Sequence, residues 1–407
     1  MAMSDLDTSL RADLDQLRQE GRFRPLVVLD SPQDAEVLIG GRRLINLSSN
    51  NYLGLNTHPR LKQAAIEAVR AWGAGSGAVR SIAGTQSIHE ELEARLAAFK
   101  GTAASLTLQS GYTANLAVLG GVLGEQDAVV SDALNHASII DGIRLTKAGR
   151  YLFPHRDMDA LQQRLEEARR DGRRRVLVVT DGVFSMDGDI APLPAIVERA
   201  EAFGAAVMVD DAHASGVLGR NGRGSVDHFG LEGRVAIQVG TLSKAVGVLG
   251  GYVAGSQELR DTLIHLGRPF LFSTSHPPAV VAACIAAIDV MESEPERQQR
   301  LWENARHFKE GLTTLGFNCG HSETPITPVI VGEARHAMAL SDQLRERGVF
   351  AQGIGYPTVA RDQGRVRTIV TSTHTKEQLD RALEAFADSA RALGLPLHPV
   401  VAGASQA

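Results

Sequence analysis

Short apolar runs rich in valine, isoleucine and leucine alternate with amphipathic stretches between about residue 60 and residue 275. Short continuous apolar runs are typical of strands that are buried on both faces, as in a parallel sheet. The alternation therefore predicts an α/β fold with a mostly parallel central sheet and helices on both of its faces. The predicted strands are residues 104–108, 128–130, 151–153, 176–180, 206–210, 236–239 and 252–254.

Two amphipathic stretches carry clear helix boundaries. Residues 87–100 place apolar side chains on one helical face and are followed by glycine, and Ser87 with Glu90 predicts a capping box at their start. Residues 192–203 have proline in the first turn and glycine after the end, so we expect a helix that crosses between neighbouring strands.

Beyond about residue 285 the pattern changes to longer charged helices around a few strands, which predicts a smaller α+β domain. Thr375 and Gln378 predict a capping box for the last of these helices. The predicted elements are helices at 292–315, 334–347 and 375–393 and strands at 326–331 and 366–370. The predicted parts of the chain are an N-terminal helix and arm (1–58), a large domain (59–285), a small domain (286–397) and a tail (398–407).

Composition excludes several classes of protein. The chain has 407 residues, 43% of them hydrophobic, and a net charge of −5, which gives no electrostatic footprint for a nucleic-acid partner. Cys284 and Cys319 are far apart and lack metal-ligand spacing, so neither a disulfide framework nor a metal site is indicated. No apolar run is long enough to span a membrane, and residues 1–20 are charged throughout. We therefore expect a cytoplasmic protein with no membrane partner.

The most informative residue is Lys244, which lies after an apolar run in the segment Gly-Thr-Leu-Ser-Lys-Ala. Most single lysines after a strand are surface residues, but the neighbours here are hydroxyl residues and not opposite charges. Asp210 and His213 end a second apolar run about thirty positions upstream. A lysine that forms a Schiff base, an acid that keeps the pyridine nitrogen protonated and a hydroxyl for the phosphate are the groups that bind pyridoxal phosphate.

Polar groups at other predicted strand ends fit the same cofactor. Ser110 to Thr113 follow a strand and open a helix, so their free amides and the helix dipole predict a phosphate seat. A carboxylate at Asp210 would be costly to bury without a cationic partner, and a protonated pyridine nitrogen supplies one. His213 would donate to the phenolate oxygen of the ring, and His136 would lie flat against the ring. Ligands of open α/β sheets gather at the carboxyl ends of the strands, where these residues lie.

Several long motifs resemble one family. They are residues 47–55 (LSSNNYLGL), 131–142 (SDALNHASIIDG), 180–188 (TDGVFSMDG), 210–213 (DDAH) and 365–368 (RVRT). The chain resembles the α-oxoamine synthases, and the likeness covers nearly its whole length. The resemblance implies the aspartate aminotransferase-like fold (fold type I), pyridoxal 5'-phosphate as cofactor and an amino acid and an acyl-CoA as substrates. It also implies a homodimer with shared active sites.

The resemblance assigns roles to single residues around the cofactor. Lys244 would carry the Schiff base and exchange the proton at Cα, Asp210 would pair with the pyridine nitrogen and His136 would stack on the ring. Ser185 and His213 would bond the phenolate oxygen. The residues assigned to the phosphate are Ser110, Gly111, Tyr112 and Thr241, with Ser273 and Thr274 reaching the phosphate of the neighbouring subunit.

The resemblance also assigns residues to the substrates. Asn50 and Arg367 would hold the amino acid carboxylate, Arg367 through the two-pronged contact of a guanidinium. Thr358 would lie near the substrate, and Arg24 would stand at the entrance for the acyl-CoA.

The motifs leave two reactions open. The first expectation is an acyltransferase that condenses glycine with acetyl-CoA to 2-amino-3-oxobutanoate, as in threonine degradation. The alternative is L-alanine with pimeloyl-CoA, giving 8-amino-7-oxononanoate and carbon dioxide in biotin synthesis, or the use of both substrate pairs. An aminotransferase of the same fold and a catalytically silent subunit are the rival classes, and the joint presence of Lys244, Asp210 and His213 disfavours the silent subunit.

Overall fold

A computed structural model describes residues 4–20, 22–23 and 25–397. Arg24 and the predicted tail 398–407 lie outside the described residues. The described chain begins with helix α1 (Asp5–Gln19), which is capped by the Ser4 side chain accepting from the amide of Asp7 at 3.1 Å. Strands β1 (Glu36–Ile39) and β2 (Arg42–Asn46) then form an antiparallel hairpin.

The central sheet confirms the predicted α/β class. Its strands are β3 (Ala104–Leu108), β4 (Ala128–Asp132), β5 (Gly149–Phe153), β6 (Val176–Asp181), β7 (Ala206–Asp210), β8 (Ile237–Thr241) and β9 (Gly251–Gly255). Their order in the sheet is β3-β9-β8-β7-β6-β4-β5, and only β9 runs antiparallel to its neighbours. Strands β3 and β7 have the predicted bounds, and the others begin or end one or two residues away.

Helices cover both faces of this sheet, which explains the continuous apolar runs. Val129 and Val130 are neighbours in β4, both fully buried, and pack into two different apolar clusters on opposite faces. The helices of this part are α2 (Pro59–Trp72), α3 (Ser87–Lys100), α4 (Gly111–Val122), α5 (Ala137–Leu145), α6 (Met158–Arg170), α7 (Leu193–Ala202), α8 (Ser225–His228), α9 (Gln257–Leu266), α10 (Arg268–Leu271) and α11 (Pro278–Ser293). A π-helical turn at Arg80–Gly84 and a 3₁₀ turn at Arg220–Gly222 complete the set.

The predicted capping box at Ser87 is wrong, although the bounds of α3 are those predicted. The cap lies one residue earlier, at Gln86, whose amide donates to His89 Nδ1 at 3.1 Å. His89 Nδ1 therefore accepts the hydrogen bond from the N-cap amide, which the Glu90 carboxylate was expected to accept.

The C-terminal part contains a small antiparallel sheet of order β10-β13-β12. Its elements are α12 (Glu296–Thr314), β10 (Ile326–Gly332), α13 (Ala334–Glu346), β11 (Val349–Phe350), β12 (Gln352–Ile354), β13 (Gly364–Ile369) and α14 (Lys376–Leu393). Strand β11 pairs in parallel with β2, so the N-terminal hairpin and the C-terminal part share a sheet. The capping box of Thr375 and Gln378 is confirmed. The domain borders at 58 and 285 stay predictions.

The helix predicted for 292–315 is present, but its predicted start is wrong. Helix α11 ends at Ser293 and α12 begins at Glu296, with Glu294 in a non-helical conformation. Pro295 lacks an amide proton and restricts the residue before it, so the helix is interrupted at this point. None of the described helices combines the length and apolar composition that a membrane span requires.

A buried ion pair supports the end of β7. Lys100 Nζ, at the end of α3, donates to Asp211 Oδ2 at 2.8 Å, and both side chains are fully buried. Asp211 also accepts from the amide of Ser225 at 3.1 Å. Because Asp211 directly follows Asp210, the pair fixes the turn at which β7 reaches the predicted site.

Replacing Lys100 by methionine should lower the free energy of unfolding by about 3–5 kcal/mol, because it leaves the Asp211 carboxylate buried without its cation. Urea denaturation followed by circular dichroism measures the change. Lys147→Met, at an exposed lysine, is the matched control. Adding Asp211→Leu to Lys100→Met should restore part of the loss, and no recovery would mean that the unpaired charge is not its cause.

Candidate active site

A pocket of about 240 Å³ lies at the carboxyl ends of β6, β7 and β8. The residues predicted from sequence that line it are Ser110, Gly111, Tyr112, His136, Ser185, Asp210, His213, Thr241 and Lys244. The lining residues that were not predicted are Ser138, Asp181, Ala212 and Ser243. The volume lies just below the usual range of ligand pockets, which suits a compact ring with a short anionic arm.

Lys244 enters the pocket from the turn after β8, and its amine is partly buried. Burial lowers the pKa of this amine to about 8, while Asp210 and Asp181 oppose the shift and Arg367 adds to it. An amine with this pKa is substantially neutral near pH 8 and can act as a nucleophile or as a base.

Asp210 lies at the base of the pocket, with its carboxylate held from two sides. Asn115 Nδ2, on α4, donates to Asp210 Oδ2 at 2.6 Å, and the amide of Ala212 donates to Asp210 Oδ1 at 2.9 Å. The side chain is 4% exposed. The sequence did not single out Asn115, which looks like one more polar residue in a predicted helix.

A second carboxylate, Asp181, faces the same pocket. Asp181 and Asp210 are register neighbours at the ends of the parallel strands β6 and β7. Burial and then repulsion by Asp210 raise the pKa of Asp181 well above its ordinary value. Asp181 Oδ2 accepts from the amide of His136 at 2.8 Å, so this carboxyl also fixes the loop that carries His136.

His136 is held at the open side of the pocket through Ser138. The amide of Ser138 donates to His136 Nδ1 at 3.2 Å, and the two side chains are 2.7 Å apart at Nδ1 and Oγ. Asn115 Nδ2 donates to the Ser138 hydroxyl at 2.8 Å. A hydrogen-bonded chain therefore runs from Asp210 through Asn115 and Ser138 to His136.

Tyr52 forms a buried hydrogen bond with the His213 ring. Tyr52 Oη lies 2.7 Å from His213 Nδ1, and both side chains are buried. Burial raises the pKa of Tyr52 and lowers the pKa of His213 well below its usual value, so both groups are neutral, and the tautomer of His213 decides which of them donates. When the Tyr52 hydroxyl is the donor, the proton of His213 is on Nε2, where it can be donated to a ligand.

The start of α4 provides an anion seat. Ser110 is its N-cap, and the Ser110 and Thr113 side chains each accept from the other's amide at 3.1 and 2.9 Å. The amides of Gly111 and Tyr112 are free of this exchange and begin the helix at the pocket. A Cβ on Gly111 would lie 3.2 Å from Thr241 Cβ, so glycine allows the helix to approach β8 closely.

Hydroxyl groups complete this end of the pocket. Thr241 Oγ1 donates to the Gly250 carbonyl at 2.9 Å and lies 2.8 Å from Ser243 Oγ. Because the proton of Thr241 is engaged, Thr241 accepts from the Ser243 hydroxyl, which can rotate to donate to a ligand in the pocket instead. Ser243 lies in the same motif as Lys244, but the sequence does not distinguish its role from that of Thr241.

Other predicted residues lie outside this pocket. Arg367 on β13 lines a neighbouring cavity and donates from Nη1 to the Ser185 carbonyl at 3.2 Å. Thr358 is exposed and lines a third cavity. Ser273 and Thr274 do not line the pocket within one chain, and Asn50 has a buried Oδ1 without a hydrogen-bond partner among the described residues.

The donor set fits pyridoxal phosphate. An amine of lowered pKa, a buried carboxylate held to face the pocket and a helix start with free amides match an aldehyde, a pyridine nitrogen and a phosphate, respectively. The unpartnered, buried Asn115 Oδ1 beside Asp210 is a further polar atom at the ring end. The pocket thus has one group for each functional part of the cofactor.

Comparisons with known proteins agree with this chemistry. The profile of the family "Aminotransferase class I and II" matches residues 42–386. An 8-amino-7-oxononanoate synthase of Symbiobacterium thermophilum is 64% identical over 97% of this chain and 100% of its own length. Those of Exiguobacterium sibiricum and Bacillus subtilis are 62% and 57% identical, over 93% and 95% of this chain and 96% and 98% of theirs.

Solved structures give the same relationship. A serine palmitoyltransferase from S. paucimobilis with bound cofactor matches with a TM-score of 0.89 and 33% identity, over 96% of this chain and 100% of that chain. An 8-amino-7-oxononanoate synthase from Francisella tularensis matches with a TM-score of 0.73 and 27% identity, over 86% and 99%. The chain therefore belongs to the class I and II aminotransferase family and, within it, to the pyridoxal phosphate-dependent α-oxoamine synthases, which are acyltransferases.

Proposed function

We propose that this protein joins L-alanine to pimeloyl-CoA, giving 8-amino-7-oxononanoate, CoA and carbon dioxide. The observation that carries the proposal is the 64% identity, over the full length of the relative, to a protein named for this product. The first expectation from sequence, glycine with acetyl-CoA, receives no support from the relatives named above. The alternative reaction takes its place.

The proposed reaction exchanges bonds at Cα of alanine and at the thioester carbon. The Cα–H bond of alanine breaks, Cα bonds to the thioester carbonyl carbon, and the C–S bond breaks so that CoA leaves as a thiolate. The carboxylate then leaves Cα as carbon dioxide. The proton removed from Cα returns to it, and the thiolate takes a proton from solvent.

Pyridoxal phosphate, when bound, supplies an electron sink that stabilises negative charge at Cα of an attached amino acid. Lys244 would hold its aldehyde carbon and, once displaced by alanine, take the Cα proton. The pKa of about 8 suits both tasks, because the amine can be neutral when it attacks and can still accept a proton afterwards. Asp210 would keep the pyridine nitrogen protonated, and Asn115 holds that carboxylate in place.

The other pocket residues would orient the cofactor. His136 would stack on the ring, while His213 Nε2 and the Ser185 hydroxyl would donate to the phenolate oxygen. The phosphate would be held by the amides of Gly111 and Tyr112 and by the hydroxyl groups that line the pocket near the start of α4. Those hydroxyls belong to Ser110, Ser243 and Thr241, and the Thr241 proton would turn from the Gly250 carbonyl to the phosphate.

Arg367 would bind the alanine carboxylate, with Asn50 nearby. Burial lowers the pKa of Arg367, but it remains a cation, and its Nη1 contact with the Ser185 carbonyl points the guanidinium toward the cofactor pocket. Thr358 and Arg24 would lie on the path of the acyl donor.

The cavities beyond Arg367 favour a long acyl donor over acetyl-CoA. The cavity of about 350 Å³ that contains Arg367 shares Gln352 and Ile354 with the next cavity, of about 1140 Å³. Arg361 and Tyr356 line the larger cavity, and the Arg361 guanidinium carbon lies 4.3 Å from the centre of the Tyr356 ring. A seven-carbon chain with a terminal carboxylate would need such a passage and a cation along it.

The protein would act as a homodimer with shared active sites. Ser273 and Thr274 would reach the phosphate in the partner subunit, since they do not line the pocket of their own chain. Phe272 next to them is 70% exposed, and Ile82, which follows the bridge between Val79 and Thr274, is 83% exposed, so two large apolar side chains in one region favour a covered surface.

A thiol-release assay with glycine, alanine and serine against acetyl-CoA and pimeloyl-CoA tests the proposal. We expect the highest kcat/KM with alanine and pimeloyl-CoA, together with release of carbon dioxide from the alanine carboxyl. A preference for glycine and acetyl-CoA would overturn it. Conversion of alanine to pyruvate without any CoA compound, at a comparable rate, would instead indicate an aminotransferase.

Lys244→Ala should abolish covalent attachment of the cofactor. After borohydride reduction, mass spectrometry should find the cofactor on the Lys244 peptide of the wild type and on no peptide of the variant. In the wild-type apoprotein, the rate of attachment should rise with pH through about 8 and level off above it, because only the neutral amine attacks the aldehyde. Attachment to another lysine would remove Lys244 from the site.

Arg361→Gln should raise KM for pimeloyl-CoA about tenfold and leave KM for alanine unchanged, since it removes one charged hydrogen bond to the acyl donor. Heptanoyl-CoA has the same chain length without the carboxylate, so it shows whether Arg361 binds the pimeloyl carboxylate or the CoA phosphates. If Arg361→Gln raises KM for pimeloyl-CoA alone, Arg361 binds the pimeloyl carboxylate. If it raises KM for both pimeloyl-CoA and heptanoyl-CoA, Arg361 binds the CoA phosphates. Arg300→Gln, at an exposed arginine of α12, is the control, and equal constants for the Arg361→Gln and control enzymes would exclude Arg361 from the path.

A further inference from the structure

His155 lies outside the pocket, between two loops that each carry a pocket residue. It follows β5 and contacts two buried carboxylates. His155 Nδ1 is 3.1 Å from both carboxylate oxygens of Asp132, and His155 Nε2 is 2.9 Å from Asp189 Oδ2. Both ring nitrogens therefore face an acceptor, which only the doubly protonated imidazolium can satisfy.

Asp132 anchors the loop that leads to His136. It ends β4, and Asp132 Oδ1 accepts from the amide of Leu134 at 2.8 Å. The Asp132 carbonyl accepts from the amide of Asn135 at 3.3 Å. Any movement of the Asp132 carboxylate would be passed along this short loop to His136.

Asp189 anchors the loop that carries Ser185. The Asp189 carbonyl accepts from the amide of Phe184 at 3.0 Å, which closes a tight loop with Ser185 inside it. The His155 ring also packs edge-on against Phe184, with 4.3 Å between ring centres. His155 thus contacts the residue before Ser185 and the far end of the same loop.

We propose that His155 is a positioning residue that joins these two loops, so that His136 and Ser185 are held at a fixed separation across the cofactor pocket. The inference rests on the proposed function only in taking these two residues to contact the cofactor. It assigns no chemical step to His155, which acts through the loops that it connects.

The local charges favour the protonated form of His155. The ionisable groups around it are Asp132 at the end of β4, Asp189 in the Ser185 loop, the adjacent Arg156 and Glu323, which pairs with Arg156 at 3.4 Å. Burial opposes the charge, but the hydrogen bonds to the two aspartates prevail and raise the pKa of His155 to about 9. Because this pKa is raised, the contribution of His155 is fully present below the ordinary histidine pKa and is lost as pH rises through about 9.

His155→Gln should weaken cofactor binding by the apoprotein about tenfold at pH 7.5, because one of the two charged links is lost and the loops can separate. The measurement is titration of the apoprotein with pyridoxal phosphate alone, so it does not depend on the identity of the substrates. The ratio of the two dissociation constants should fall toward one above pH 9, where the wild type also loses its imidazolium. His307→Gln replaces the histidine of a surface histidine–aspartate pair of 2.6 Å between α12 and α14 and is the matched control, with unchanged cofactor binding.

If His155→Gln binds the cofactor as tightly as the wild type at every pH and differs only in a lower melting temperature, His155 is a packing residue and the proposal is overturned. His155→Phe keeps a ring against Phe184 but has no donor, so it should bind cofactor as poorly as His155→Gln; wild-type affinity in His155→Phe would also contradict it. If His155→Gln does not fold, Asp189→Asn provides the same test from the other side of the link. A failure of the alanine and pimeloyl-CoA assay would leave these binding results intact, so the two proposals fail separately.

Discussion

The structure depends on a cluster of buried charges at the ends of neighbouring strands. Asp181 and Asp210 end β6 and β7 side by side, and the amine of Lys244 faces them from the turn after β8. Two carboxylates in one buried pocket repel each other, and removal from water is costly for each charge. The pocket therefore favours a ligand that brings positive charge to the carboxylates, as the protonated ring of pyridoxal phosphate does.

Such a pocket requires rigid support, because a small displacement of a buried charge changes its energy greatly. The support consists of hydrogen bonds between elements that are distant in the chain. Asn115 on α4 holds Asp210, Tyr52 holds His213, and the Lys100–Asp211 ion pair fixes the turn behind β7. None of these supporting residues has to touch the substrate, yet each determines where a reacting group lies.

The sequence predicted the sheet well and the supporting contacts poorly, for one physical reason. Burial on both faces leaves a local pattern, so the bounds of β3 and β7 follow from short apolar runs. Contacts between distant residues leave no local pattern: Tyr52 and His213 are 161 residues apart in sequence, and Asn115 and Asp210 are 95 apart. Asp181 was part of a recognised motif, but only strand register shows that it faces the pocket beside Asp210. The placement of Ser273 and Thr274 depends on a second subunit and stays a prediction.

Selection of the acyl donor is best explained outside the cofactor pocket. A serine palmitoyltransferase and an 8-amino-7-oxononanoate synthase have different names, yet each matches nearly its whole length to this chain. A shared fold does not by itself fix the substrate, which is selected by the groups that line each protein's own cavities. Strand β12 lines both cavities beyond Arg367, and the segment from Tyr356 to Arg361 lines the larger one, where an exposed loop can vary without disturbing the strand ends. The rigid pocket would then set the reaction, and this loop would set the substrate.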